Sequence, residues 1–176
     1  MTKSLIRLAN LNDLVEIERL LIETRGYFKK AKIPQWQGIY PAVEDFVTDI
    51  QREECYLALI NQKVVGMIVI SSQEELNYQA MVSGHWQSQG PYTVIHRLAV
   101  SQSARGAGIG RQLMNFAETI TLARQRQIIR VDTHELNRGM LALLEASRYQ
   151  TAGVIKVADG SLRLAFEKNL VKKQHR

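Results

Sequence analysis

Two places in this chain carry residue types whose spacing could do chemistry. The first is Arg105-Gly106-Ala107-Gly108-Ile109-Gly110-Arg111. Glycines let a backbone approach a ligand closely and take positive φ. A helix opening at Ile109 would add unpaired N–H groups and a partial positive charge. Together they form an anion site suited to phosphates, to which Arg105 and Arg111 could add charge-assisted hydrogen bonds. The same residues also read as a glycine-containing strand–helix turn with two solvated arginines. No Gly-Lys-Ser/Thr follows, which excludes a nucleotide-triphosphate P-loop. Gly106, Gly108 and Gly110 also lack the Gly-x-Gly-x-x-Gly spacing of a dinucleotide site.

The second place is His96, set in an apolar run with Val94, Ile95, Leu98, Ala99 and Val100. An imidazole titrating near ~6.5 suits proton transfer at neutral pH. A histidine satisfied within the sheet is the other reading. Arg97 beside it could orient a carboxylate or serve as a structural ion-pair partner. His134-Glu135 follow a later strand, and His85-Trp86 lie on a polar loop. Cys55 is the only cysteine, which excludes an intramolecular disulfide. It reads as a small core residue rather than a nucleophile.

These residues need elements to hold them. Residues 4–8 read as a strand. Asn10 can cap the following helix, Asp13 suits its first turn, and Gly26 marks its end or a bend. Leu14, Val15, Ile17, Leu20 and Leu21 give that helix an apolar face. Residues 29–41 break the pattern, with Trp36 and Tyr40 among prolines. Residues 43–51 read as a second helix. Residues 55–60 and 64–70 form an antiparallel hairpin turning at Asn61-Gln62-Lys63, with Gly66 marking a bulge. Residues 71–91 are polar and irregular, long enough for a functional loop. The central helix places Ile109, Leu113, Phe116, Ile120 and Ala123 on one face. Residues 127–133 read as a strand and 137–147 as a helix. Residues 149–157 and 161–168 form two further strands, turning at Asp159-Gly160. The order βααβββαβαββ implies an α+β fold, a sheet covered by helices.

The 176 residues suit one compact domain, expected over residues 1–170, with a basic tail at 171–176. The hydrophobic fraction of 45% excludes wholesale disorder. The net charge of +6 favours anionic ligands, and part of it sits in Lys168, Lys172, Lys173 and Arg176. No recognition motif or basic–aromatic pattern supports specific nucleic-acid binding. No leader or membrane-length apolar run is visible, so a cytoplasmic protein is the expectation.

Arg105-x-x-Gly108-x-Gly110, following Leu98-Ala99-Val100 and preceding a long amphipathic helix, resembles the acetyl-coenzyme A signature of the GNAT superfamily of N-acetyltransferases. The later segment Asp132-Thr-His134-Glu-Leu-Asn137-x-x-Met140-x-x-Leu143-Leu144-Glu145 resembles a second stretch of that superfamily. The resemblance runs along nearly the whole chain. It implies a mixed, mostly antiparallel central sheet flanked by helices in a three-layer α/β/α arrangement, with acetyl-CoA as cofactor and no metal. It implies cofactor contacts at Leu98, Ala99, Val100, Arg105, Gly106, Ala107, Gly108, Ile109, Gly110, Arg111, Asn137 and Met140. Asn137 is equally a good helix cap. Pantetheine would lie along the strand like an added one, a backbone N–H there polarising the thioester.

The resemblance further implies an amine acceptor, of small molecule or protein, attacking directly in a ternary complex. It makes Trp36 and Tyr40 candidate acceptor contacts, with Trp86, Arg97 and His134 beside them. Anchoring of the loop to the core is the alternative for the two aromatics. His96 is the base candidate, a position that holds a histidine in the arylalkylamine branch. Two departures stand out. Leu144 replaces a tyrosine that protonates the departing thiolate in many members, and leucine cannot donate a proton. Arg148-Tyr149 replaces Gly-Phe. A CoA-binding sensor without catalysis is therefore the competing expectation. Dimers are common in the superfamily, which makes a homodimer an analogy.

Overall fold

The computed structural model describes residues 4–171, so Lys172, Lys173 and Arg176 of the expected tail lie outside the described residues. Among the described residues, eight strands hydrogen-bond in one mostly antiparallel sheet, and the chain divides into two compact units.

The first unit takes residues 1–71 and 96–116. It opens with β1 (Leu5–Leu8) and a 3-10 turn over Leu11–Asp13. Asn10 Oδ1 accepts from Asn12 N at 2.9 Å, and Asp13 Oδ2 accepts from Asn10 N at 2.8 Å, so the cap is reciprocal. Helix α1 (Leu14–Lys30) buries Ile17, Leu20, Leu21 and Phe28 and leaves Val15 exposed. The helix runs straight past Gly26, because Phe28 still has a core to enter; Lys32 at φ 57° then turns the chain away.

Helix α2 (Val43–Gln51) begins where the Asp45 carboxylate accepts from Ala42 N at 2.7 Å. Strands β2 (Cys55–Ile60) and β3 (Lys63–Ser71) form the expected antiparallel hairpin. Its turn is the pair Asn61 and Gln62, both at positive φ, the tight form a right-twisted hairpin prefers. The register shifts between Ala58 and Leu59, next to Gly66. A Cβ on Gly66 would stand 3.1 Å from Ile109 Cγ2 and 3.3 Å from the Ala99 carbonyl oxygen. The glycine therefore lets the start of α3 (Ile109–Ala123) settle closely over the sheet.

The second unit takes residues 72–95 and 117–176. Strand β5 (Tyr92–Val100) lends it Tyr92–Ile95, which pair in parallel with Ile128–Val131 of β6 (Ile128–Thr133). That register closes at Ile95 and Val131. Helix α4 (Arg138–Ala146) follows. Strands β7 (Gln150–Lys156) and β8 (Leu162–Asn169) are antiparallel, and β8 pairs with β6.

The stretch 71–91 is not wholly irregular. It holds a 3-10 turn at Leu76–Tyr78 and a short strand, β4 (Met81–Gly84), paired with β7. The buried stripe of α3 also differs from the expected one. Ile109, Leu113, Met114 and Ala117 are buried together with Thr121, whereas Phe116 and Ile120 are half-buried and Ala123 is exposed. Thr121 serves there because its hydroxyl donates back to the Ala117 carbonyl at 2.8 Å.

Candidate functional site

The glycine loop begins where β5 ends. Ser101 N donates to the Val65 carbonyl at 2.8 Å, and the Ser101 hydroxyl donates to Glu23 of α1 at 3.1 Å. Gln102 N also donates to Glu23. A 3-10 turn over Gln102–Ala104 then sets Gly106 at φ 76° and Gly108 at φ 81°, both left-handed. Added side-chain bulk at Gly106 would meet open space, so its backbone is approachable from outside. The backbone bonds of this segment use the N–H groups of Ala104, Arg105, Ala107 and Gln112. Those of Gly108 to Arg111 stay out of the ladder, as the first turn of a helix requires. Arg105 and Arg111 are exposed; Arg105 stacks its guanidinium 3.7 Å from the Tyr27 ring centre. A shallow recess beside the loop is lined by Ile60, Asn61, Lys63, Val65, Ala104 and Ala107.

These observations test coenzyme A as a ligand. The loop offers free backbone donors, a helix N-terminus and two exposed cations, the donor set a pyrophosphate needs. Leu98 and Val100 are half-buried and Ala99 is buried, on the strand that feeds the loop. The residues fit the group. Among the described residues no cluster of His, Cys, Asp and Glu is arranged to hold a metal ion.

The residues just before the loop are committed differently. Arg97 sits within β5 at φ 50°, a left-handed conformation that non-glycine residues rarely take in a strand. Its guanidinium donates to Asp49 of α2 at 2.6 Å and lies 5.1 Å from the Tyr40 ring and 5.6 Å from that of Phe46. Arg97 is thus the ion-pair partner of a buried helix carboxylate. Burial pushes Asp49 up to about 6 despite that partner. His96 is half-buried; desolvation first, and then the neighbouring Arg97 charge, push its imidazole down to about 3. It is neutral at pH 7 and holds a proton weakly, which corrects the expectation of a group titrating near neutrality.

The loop at residues 31–42 is gathered by Arg25 of α1. Its guanidinium donates to the carbonyls of Trp36 at 2.9 Å and Pro41 at 2.9 Å, and to those of Gly38 and Ile39. Trp36 stacks edge-on against Phe28 and packs on the core, so it anchors the loop. Tyr40 stays about half exposed, at 49%. Nothing in residues 25–41 announces Arg25, since its partners are backbone carbonyls.

In the second unit, Asn137 caps α4, its Oδ1 accepting from Met140 N at 3.2 Å. His134 Nδ1 accepts from Leu136 N at 3.1 Å, which leaves the ring proton on Nε2. Leu144 is fully buried. Arg148 stands at φ 61°, which explains glycine at this place in the superfamily pattern: the exchange costs backbone strain. Trp86 is half-buried and held by partners within its own unit. Its Nε1 donates to the Tyr78 carbonyl at 2.9 Å, and the Arg130 guanidinium lies between its ring and that of Tyr92, at 4.2 and 4.1 Å. The Tyr78 phenol donates to Asp132 at 2.7 Å. The pairing of Tyr78 with Asp132 was not legible in the sequence, because residues 71–91 carry no periodic signal.

Comparison with known proteins fits this geometry. A protein of the GNAT acetyltransferase family from Streptococcus agalactiae superposes with a TM-score of 0.86 at 28% identity, over 97% of this chain and 96% of that one. Another from Listeria monocytogenes shares the fold, with a TM-score of 0.74 at 22% identity over 95% of each chain. A streptothricin acetyltransferase from Escherichia coli is 29% identical over 104 residues, 57% of this chain. The match spans about half the length of that curated relative, 51%. The family profile described as Acetyltransferase (GNAT) matches residues 17–148, three quarters of the sequence, and the chain belongs to that family.

Proposed function

We propose that this chain is an acetyl-CoA-dependent N-acetyltransferase that serves a primary amine of a small molecule or protein. The observation that carries this is the start of α3: two left-handed glycines, helix N–H groups outside the ladder and two exposed arginines. Bound there, acetyl-CoA would supply an activated acetyl thioester. The Gly106–Arg111 backbone would hold the pyrophosphate, with Arg105 and Arg111 adding charge. Leu98, Ala99 and Val100 would align the pantetheine arm. Tyr40 would border the acceptor, and Arg97 holds α2 against the strand through Asp49. His96, neutral and weakly basic, acts as a hydrogen-bond acceptor that orients the amine.

Direct attack is favoured over an acetyl-enzyme. Cys55 is fully buried and its thiol is pushed up to about 12, so it supplies no thiolate at pH 7. Initial-rate plots against both substrates should intersect rather than run parallel. Leu144, buried and without a hydroxyl, favours a second reading in which the chain binds coenzyme A as a sensor. An acceptor screen with acetyl-CoA, following free thiol, separates the two. Acceptor-dependent thiol release supports the enzyme. Stoichiometric coenzyme A binding with no release across amines, amino acids and peptides would leave the sensor.

A further inference from the structure

One face of α1 is committed to the entry of the glycine loop. Arg19, Glu23 and Tyr27 stand four residues apart, so their side chains share that face. The Ser101 hydroxyl donates to both oxygens of Glu23, at 3.1 and 3.2 Å, and Gln102 N donates to the same carboxylate. Arg19 closes the arrangement. Its guanidinium donates to Glu23 at 3.2 Å and to the Val64 carbonyl at 2.8 Å, while the carbonyl of the next residue, Val65, takes Ser101 N at 2.8 Å. The bonds thus run in a ring, from β3 to the end of β5, to Glu23, to Arg19 and back to β3. One turn further along α1, the Tyr27 ring carries the Arg105 guanidinium, 3.7 Å from its centre. All of these residues belong to the first unit.

A carboxylate beside an anion loop opposes the anion by charge. Here that charge is matched by Arg19, which Glu16 holds in turn at 3.0 Å. What Glu23 supplies is direction, because hydrogen bonds to an ionised acceptor are short and strong. Ser101 is buried, and its oxygen also meets Ser103 Oγ at 2.9 Å. Only the turn over Gln102–Ala104 and Arg105 separate this fixed point from Gly106, the first left-handed glycine. Beyond the glycines the chain is fixed again at Ile109, which is buried. A loop held at both ends needs little further ordering to receive a ligand on its free N–H groups.

We infer that this face of α1 preorganises the loop for coenzyme A. Glu23 is a positioning residue for the backbone donors, acting through Ser101 and Gln102, and Tyr27 positions the Arg105 guanidinium. The inference rests on coenzyme A occupying the loop, as the acetyltransferase reading requires.

Calorimetry with coenzyme A and amide hydrogen exchange in the ligand-free protein test it. Glu23→Ala should weaken coenzyme A binding about tenfold, the scale of one hydrogen bond to a charged group. Glu23→Gln keeps an acceptor oxygen and should stay within about threefold of the parent. In ligand-free Glu23→Ala the Gln102 amide should exchange faster, while amides of β2 and β3 keep their rates. In turnover, KM for acetyl-CoA should rise while kcat and the amine KM hold. Tyr27→Ala should weaken binding about threefold in the parent, the scale of an exposed cation–π contact, and not at all in Arg105→Ala.

Glu23→Ala within about twofold of the parent overturns the role of Glu23. So does a Glu23→Gln protein as weak as Glu23→Ala, or exchange that quickens equally throughout the first unit, the mark of general destabilisation. Equal losses on Tyr27→Ala in both backgrounds overturn the role of Tyr27. Should Glu23→Ala fold poorly, Ser101→Ala decides: weakened coenzyme A binding supports the inference, and unchanged binding overturns it. A parent that binds no coenzyme A would overturn the acetyltransferase reading itself. A parent that binds it beside an indifferent Glu23→Ala would overturn only the positioning role.

Discussion

The glycine loop at the start of α3 and the polar clusters at the ends of β5 and β6 place charge in opposite ways. The loop works through backbone: its donors are N–H groups, and Arg105 and Arg111 stay at the surface. The clusters work through side chains that are withdrawn from water and held by partners distant in sequence. Arg97 meets Asp49 across 48 residues, and Tyr78 meets Asp132 across 54. Exposed backbone can be altered locally with local effects. A buried charge ties its site to the stability of the fold, because removing one partner strands the other.

That difference is sharpest for Arg97. Arg97→Ala leaves Asp49 buried and unpaired, and should destabilise the protein by about 3–5 kcal/mol in chemical denaturation. Arg111→Ala, at an exposed position, should stay within about 0.5 kcal/mol of the parent. Replacing both partners, as Arg97→Met with Asp49→Leu, should recover most of the loss. A stable Arg97→Ala protein would show that the β5 cluster carries no more structural weight than the loop arginines.

The next effect belongs to the loop. Gly108→Val puts a β-branched residue at φ 81° and misaligns the amides around it. Coenzyme A affinity by calorimetry should fall about 100-fold, about 2.7 kcal/mol, as expected for losing one or two hydrogen bonds to a charged group. Arg111→Ala should cost less than about tenfold, because an exposed cation contributes little in water. If the arginine proves the larger loss, the anion is held by side chains and the contrast between the regions fails.

This contrast also explains what was legible in the sequence. Spacing displayed Gly106, Gly108 and the helix after them, because backbone chemistry is encoded by the residue that performs it. The strands at 55–60 and 94–100 were legible from apolar runs, and Asn137 from its capping chemistry. Strand β4 was not, since its four residues carry a glycine and little apolar pattern and are a strand only because β7 offers an edge. Gly26 was misleading for the same reason: propensity favours an end there, but burial of Phe28 extends the helix. The partners of Arg25, Arg97 and Asp132 were invisible because topology, not spacing, brings them together.

His96 lies between the two regions in character, a titratable side chain on the donor strand. Its folded pKa of about 3 is below the unfolded value near 6.5, so the unfolded chain binds the extra proton between those limits. The stability this contributes is present above about pH 6.5 and is lost as pH falls toward 3. At pH 5 the loss is on the order of 2 kcal/mol. Melting curves at pH 7 and 5 should therefore separate more in the parent than in His96→Gln. Equal separation would mean that the imidazole reaches water and can serve as a base in its own right.

The smallest effect lies at Arg148, after α4. Its φ of 61° is the conformation that ends a helix and that glycine takes without cost. Tyr149 N donates to the Leu144 carbonyl at 3.0 Å across this turn, so the geometry is fixed by the helix rather than by the arginine. Arg148→Gly should relieve the left-handed strain, worth roughly 1–2 kcal/mol for a residue with a Cβ. It also loosens the unfolded chain, which returns part of that gain. The net expectation is a stabilisation of about 0.5–1 kcal/mol in denaturant midpoint, with coenzyme A affinity unchanged. A destabilised Arg148→Gly would show that the arginine side chain contributes more than its backbone costs, and that this departure from Gly-Phe is a gain in contacts rather than a tolerated strain.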